Sequence, residues 1–381
     1  MGYYPYLCIM LQTIIVVMPL AICGILTVQL LLSWFHHRTP AKLWLVIWGA
    51  IATLLYGGHY VFFCRATHLL PVSDSIYVAC NLAVYPLYLI YIYKLTAQRT
   101  PLLLYLGTFI LPALAGIIVA TIYAMMTPEE TSVYVNDFLY QQANVRLSGL
   151  PSVLADVQLM CRFAFAVEVT AVVVLGIFQI SKYNKIIEQS YADTEGKALY
   201  SVRHILILTL CTSVVSFIIN IVGRSWFADN VWLLVIPSLL FSVLLFTIGW
   251  VGLWQDFSIV DILKDEHIAE SSVVEGTPLV EGRILKERLV QTMEKEQLFL
   301  QTDLKLNMLA RKLGTNRTYL LQTLGSELHM NFSEYINRLR IAYAEDMMAQ
   351  HPEKSKNEVA MLSGYSSLSS FYRNWKLYGK K

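Results

Sequence analysis

Apolar residues run in seven long blocks over the first two thirds of the chain, then break into short amphipathic stretches. The blocks are 8–32, 43–64, 75–93, 101–126, 157–180, 204–222 and 231–253. Each is near the ~20 residues a helix needs to cross a bilayer. The third is the weakest, being rich in Tyr and carrying Asn81 and Pro86. If it failed to span, the C-terminus would change sides. The first block lacks a basic leading region and is too long for a typical leader, so it reads as a span.

Composition agrees with this pattern. Of 381 residues, 56% are hydrophobic and only 15% charged, with mean hydropathy +0.51. Soluble domains carry ~25% charged residues. The charges also set an orientation. Arg38 and Lys42 lie in the first loop, Lys94 and Arg99 in the third, and Lys182, Lys185, Lys197 and Arg203 in the fifth. The fourth loop holds Glu129, Glu130, Asp137 and Asp156 against Arg146. Basic loops stay in the cytoplasm, which predicts an external N-terminus, seven spans and a cytoplasmic C-terminus.

Polar groups inside the blocks mark candidate sensor positions. Glu168 falls near the middle of the fifth block, where a carboxylate must face the bundle interior, find a partner or be protonated. Arg162 lies nearer the outer end and can reach the interface. His59, Asn81 and Asn220 are further polar residues at membrane depth. Some of these are expected to line a small-ligand or ion site; the competing reading is interhelical hydrogen bonding. The six cysteines show no metal-ligand spacing and read as packing residues.

The last part of the chain changes character. Residues 255–281 are acidic through Asp256, Asp261, Asp265, Glu266, Glu270 and Glu275 and loosened by Ser271, Ser272, Gly276 and Pro278, which predicts a tether. Residues 284–300 predict an amphipathic helix with Leu285, Leu289, Met293 and Leu298 inward. Leu306, Leu309, Ala310 and Leu313 then share one helical face. Gly314 supplies a turn, and Thr315 or Asn316 caps a second helix. In it Tyr319, Leu320, Thr323 and Leu324 face the core, leaving Arg317, Thr318, Leu321 and Gln322 outside. A third helix over 333–350, capped by Ser333, carries Tyr335, Ile336, Leu339, Tyr343 and Met347 as its stripe. Residues 355–379 repeat the first pattern. Val359, Ala360 and Leu362 point inward, Gly364 turns, and Ser366 or Ser367 caps a helix packing Phe371 and Trp375. Ser369, Tyr372, Arg373 and Lys376 face outward.

Two helix-turn-helix units joined by a helix resemble the C-terminal domain of AraC/XylS-family transcription regulators. The carriers are L-x-x-L-A-x-x-L-G at 306–314, Y-I-N-x-L-R-I at 335–341 and A-x-x-x-G-Y-S-S-x-S-x-F-x-R-x-W-K at 360–376. The family pattern continues after the last glycine with a small residue, a proline and a Tyr-Arg pair, where this sequence has Gly379-Lys380-Lys381. The resemblance implies two recognition helices in successive major-groove faces of double-stranded DNA. Asn316, Arg317, Thr318 and Gln322 would serve one face, and Ser367, Ser369, Tyr372 and Arg373 the next. Arg338, Arg340 and Lys376 would contact phosphates. Residues 282–381 hold 16 Lys and Arg against 10 Asp and Glu, a surplus that suits phosphate contact.

The expected protein is therefore all-α. It has a seven-span membrane domain (1–254), a tether (255–281) and a cytoplasmic DNA-binding domain (282–381). No phosphate loop, metalloprotease helix or nucleophile elbow appears, so neither an enzyme nor a cofactor is expected. A tethered DNA-binding end needs a chromosome within reach, which places the chain in a bacterial inner membrane. A homodimer through the 284–300 helix is a further expectation. The alternative is a transporter or receptor-like protein whose C-terminal domain binds protein; the spans show no matched halves to support transport.

Overall fold

The computed structural model describes residues 3–140, 146–222, 231–270 and 282–380. It is all-helical; among the described residues the nearest approach to a sheet is one isolated antiparallel bridge between Tyr191 and Lys305. The chain forms two compact units. One comprises Met1–Ile180 with Tyr200–Asp256, and the other Ser181–Leu199 with Phe257–Lys381.

The first unit holds α1 (Tyr3–His36), α2 (Pro40–Phe63), α3 (Leu70–Thr96), α4 (Leu102–Met125), most of α6 (Leu150–Ser190), α7 (Tyr200–Val222) and α8 (Val231–Trp254). Among the described residues six helices are long and apolar enough to cross a membrane: all of these except α7. The block expected as the sixth span does form α7, but its described apolar stretch, Tyr200–Val215, is shorter than a span.

The weakest block proves to be the most enclosed helix. In α3, 72% of the apolar window is buried, against 28–39% in the other five. Tyr88, Tyr91, Ile90 and Ile92 are all buried there. A helix surrounded by protein rather than lipid has no need of a uniformly apolar surface, which explains its tyrosines and Asn81. Asp74, at the start of α3, is also buried, accepting from Tyr123 Oη at 3.1 Å and from Gln158 Nε2. Lys42 at the start of α2 is buried as well. It pairs with Asp256 at 2.6 Å and donates to Ser33 Oγ at 3.1 Å.

The first part of the long acidic loop is helical. Its short helix α5 (Pro128–Ser132) starts with a reciprocal cap: Glu130 N–H donates to Thr127 Oγ, and Thr127 N–H donates to the Glu130 carboxylate. A π-helix, Val133–Tyr140, follows. Tyr140 Oη donates to the Phe62 carbonyl at 2.8 Å and its ring stacks on Phe62, so the segment closes over the end of α2.

The second unit holds α9 (Ile259–Glu270), α10 (Gly282–Glu296), a 3₁₀ turn (Leu298–Leu300), α11 (Leu306–Lys312), α12 (Arg317–Glu327), α13 (Phe332–Gln350), α14 (Lys356–Leu362) and α15 (Leu368–Tyr378). The expected tether thus contains a helix, opened by Asp261, whose carboxylate accepts from Ser258 N–H at 2.9 Å. Residues 271–281 of that tether, including Ser271, Ser272 and Glu275, lie outside the described residues. Leu285, Leu289 and Met293 pack with Leu306, Leu309, Leu320, Leu324 and Ile336 in one core. The stripe of α10 therefore faces its own domain. A smaller core joins Ile341, Ala344, Val359, Ala360, Tyr365 and Phe371. α13 serves both cores, as a linking helix must.

Three expectations change here. Asn331, not Ser333, caps α13, accepting from Glu334 N–H at 2.8 Å, and Ser333 is buried one turn in. Leu362 is 48% exposed, and Ser363 takes the inward place beside the turn. The segment 181–199, read as a cytoplasmic loop, forms part of the second unit. Ala192 sits in the larger core, its N–H donates to Leu304 O at 3.1 Å, and its carbonyl accepts from Asn337 Nδ2 at 2.9 Å and Ser333 Oγ at 3.1 Å.

Candidate nucleic-acid interface

The first unit of the interface is α11, a turn and α12. Gly314 turns the chain with φ +65°, a left-handed conformation that favours glycine. Asn316 caps α12 by accepting from Tyr319 N–H at 3.0 Å. Leu320, Thr323 and Leu324 are buried, so Thr318 and Gln322 are left exposed on the opposite side. Arg317 is half-buried, and its Nη2 donates to Ser190 Oγ at 3.1 Å.

The second is built alike. Ser355 and Glu358 form a reciprocal cap on α14. Gly364 turns with φ +84°. Ser367 caps α15 by accepting from Ser370 N–H at 3.1 Å. Phe371 is buried against Tyr365 and Trp375, which leaves Ser369, Tyr372, Arg373 and Lys376 exposed. A helix with its apolar side in a core and hydroxyls, a phenol and cations outward has the chemistry that base edges and phosphates require.

The linking helix separates its two arginines. Arg338 is exposed, pairs with Glu334 at 2.8 Å and lies 5.4 Å from the Tyr378 ring centre. Arg340 is fully buried. Its Nε donates to Phe299 O and its Nη2 to Gln301 O, both at 2.7 Å. That removes it from the phosphate contacts and makes it a tie between the linking helix and the 3₁₀ turn.

The N-terminal end of α15 is covered by carboxylates. Ser366 donates to Asp193, and Ser370 does so at 3.0 Å. Ser367 and Ser369 both donate to Glu195. Burial pushes the Asp193 carboxyl up, but the bonds from Ser366, the Glu195 N–H and Ser370 outweigh it and hold it below its ordinary range. Nothing in the sequence around Asp193 and Glu195 marks them as partners of this helix, which lies more than 170 residues further on.

Residues 309–378, both units with the linking helix, match a family described as a helix-turn-helix domain. This stretch is an AraC-type helix-turn-helix domain. Such domains bind DNA in regulators and are not an enzymatic family. No curated protein and no solved structure matches the chain. The AraC-type domain thus follows an apolar helical region suited to a membrane.

Two of the residues expected to sense a signal come together in that region. His59 and Asn81 line a cavity of about 100 Å³ with Tyr56, Tyr77, Phe165 and Ser238. The His59 ring stacks on Tyr56 at 5.6 Å and meets the edge of Tyr77 at 5.0 Å. Arg162 and Glu168 lie on α6 outside the cavity lining. Neither carboxylate oxygen of Glu168 has a hydrogen-bond partner among the described residues. The side chain of Asn220 lies outside them. No group of three or more metal-ligating side chains occurs among the described residues.

Proposed function

We propose that this chain is a membrane-anchored bacterial transcription regulator that reads promoter DNA through α12 and α15. The observation that carries the reading is the outward chemistry of the AraC-type domain: Thr318 and Gln322 on one recognition helix, Tyr372, Arg373 and Lys376 on the other. Thr318, Gln322 and Arg373 read base edges; Lys376 and Arg338 meet phosphates. Basic residues in alternate loops favour an external N-terminus and a cytoplasmic C-terminus in the inner membrane. The membrane unit receives the signal, with the His59–Asn81 cavity as the place for a small, largely apolar ligand.

Selection tests this directly. The full chain in nanodiscs is offered a pool of random duplexes, and the bound fraction is sequenced. The expected result is a motif with two half-sites about one helical turn, ~34 Å, apart. Arg373→Ala should weaken binding to that motif by about 1–3 kcal/mol and relax one position of it. Binding without enrichment overturns the sequence-specific reading. Equal loss on random DNA moves Arg373 to the phosphates.

A further inference from the structure

Every group expected to meet DNA at the start of the second recognition helix is already engaged by this chain. Ser367 and Ser369 hold Glu195, while Ser366 and Ser370 hold Asp193. The engagement extends to the first recognition helix and to the cap of the linking helix. Arg317 donates to Ser190 Oγ, and Asn331 Nδ2 lies 3.5 Å from Glu188 Oε2. The segment is anchored between these points rather than draped over them. Ala192 is locked into the core by backbone and side-chain bonds.

The chemistry of the covering groups matches what they would displace. A helix N-terminus with free hydroxyl donors favours an anion, whether carboxylate or phosphate. Glu188, Asp193 and Glu195 bring three carboxylates to a face whose DNA affinity rests on attracting phosphates. A serine hydroxyl has one proton to donate. Ser367 and Ser369 therefore cannot serve Glu195 and a phosphate together. Electrostatic repulsion between the carboxylates and the DNA backbone adds to that exclusion.

We propose that residues 188–195 form a built-in competitor for DNA, with Glu195 and Asp193 standing where the nucleic-acid backbone binds α15. DNA binding then requires this segment to give up the serines. The proposal rests on the DNA-binding reading above. It gives that reading a control element, since the segment is continuous with α6 on one side and leads into α7 on the other. Any signal that moves either helix end acts on the competitor through the chain itself.

Glu195 carries the test, because it is only half-buried and its carboxylate accepts from the hydroxyls of Ser367 and Ser369 at the rim of the helix start. Asp193 is buried and its replacement risks the fold. The full chain in nanodiscs, wild type and Glu195→Gln, is titrated against a fluorescein-labelled duplex of random sequence at fixed salt. Glu195→Gln should bind about fivefold or more tightly, the lower range of coupling between sites. Amide exchange of residues 191–199 in the wild type should accelerate when duplex is added. Equal or weaker binding by Glu195→Gln overturns the proposal, as does unchanged or increased protection of 191–199 in the complex. Absence of binding by either protein at low salt overturns the DNA-binding reading, and this proposal with it.

Discussion

Replacing Arg340 by Ala separates two roles open to a basic residue on a linking helix. A phosphate contact, when lost, leaves folding intact and lowers the salt slope of DNA binding by about one. The observed geometry predicts the reverse. Arg340 has 0% exposure, and its two bonds to Phe299 O and Gln301 O are both 2.7 Å long. Hydrogen bonds from a charged donor contribute ~1.5–3 kcal/mol each, so the pair amounts to ~3–6 kcal/mol. Burial of the cation works against this. It lowers the guanidinium's affinity for its proton, partly countered by Tyr365 and Asp193. Nη1 also lacks a partner among the described residues. After that penalty, the net loss in Arg340→Ala is ~2–4 kcal/mol, with the buried Phe299 carbonyl left unpaired. At ~1.4 kcal/mol per decade this becomes about 30- to 700-fold faster exchange of the most protected amides of α13, measured on the full chain in nanodiscs. Arg340→Met should recover part of the loss, because it fills the space and buries no charge. Unchanged protection together with a salt slope lower by one would refute the reasoning and return Arg340 to the phosphates.

Two further outcomes follow from the second unit. The turn glycines should differ. A Cβ at Gly314 meets open space, so Gly314→Ala costs only the left-handed backbone, ~1–2 kcal/mol; at Gly364 it would also lie 2.7 Å from Leu300 O, and the loss should exceed that of Gly314→Ala. Chemical denaturation followed by exchange in α11 and α14 checks the order. Acid should free the competitor. The Asp193 carboxyl is held below its ordinary value, so its stabilising contribution is complete above pH ~3.9 and is lost as pH falls through the folded value. Protection of residues 191–199 should therefore decline below about pH 4 and stay level from about 5 to 8; a decline near neutrality would assign the control to another group.

What was legible in the chain was local. Leu306, Leu309, Ala310 and Leu313 lie within two helical turns, so their spacing alone reports one buried face, and all four are buried. Arg340 was legible too, though residue type obscured it. It follows Ile336 by four and precedes Ala344 by four, and all three are buried. Its charge suggests the surface, whereas its place on the apolar face puts it inside. The enclosed position of α3 was not legible, because hydropathy cannot distinguish a helix that faces lipid from one that faces other helices. Least legible was the contact between Asp193 and Ser370, 177 residues apart in sequence. One trace of it did exist. One hydroxyl is enough to cap α15, and Ser367 is the residue that does so. Ser366, Ser369 and Ser370 place three more hydroxyls around the same helix start, and Ser370 is fully buried. Buried hydroxyls need partners. A surplus of donors at a helix N-terminus implies an anion, and the chain supplies one of its own at a place where DNA would supply another.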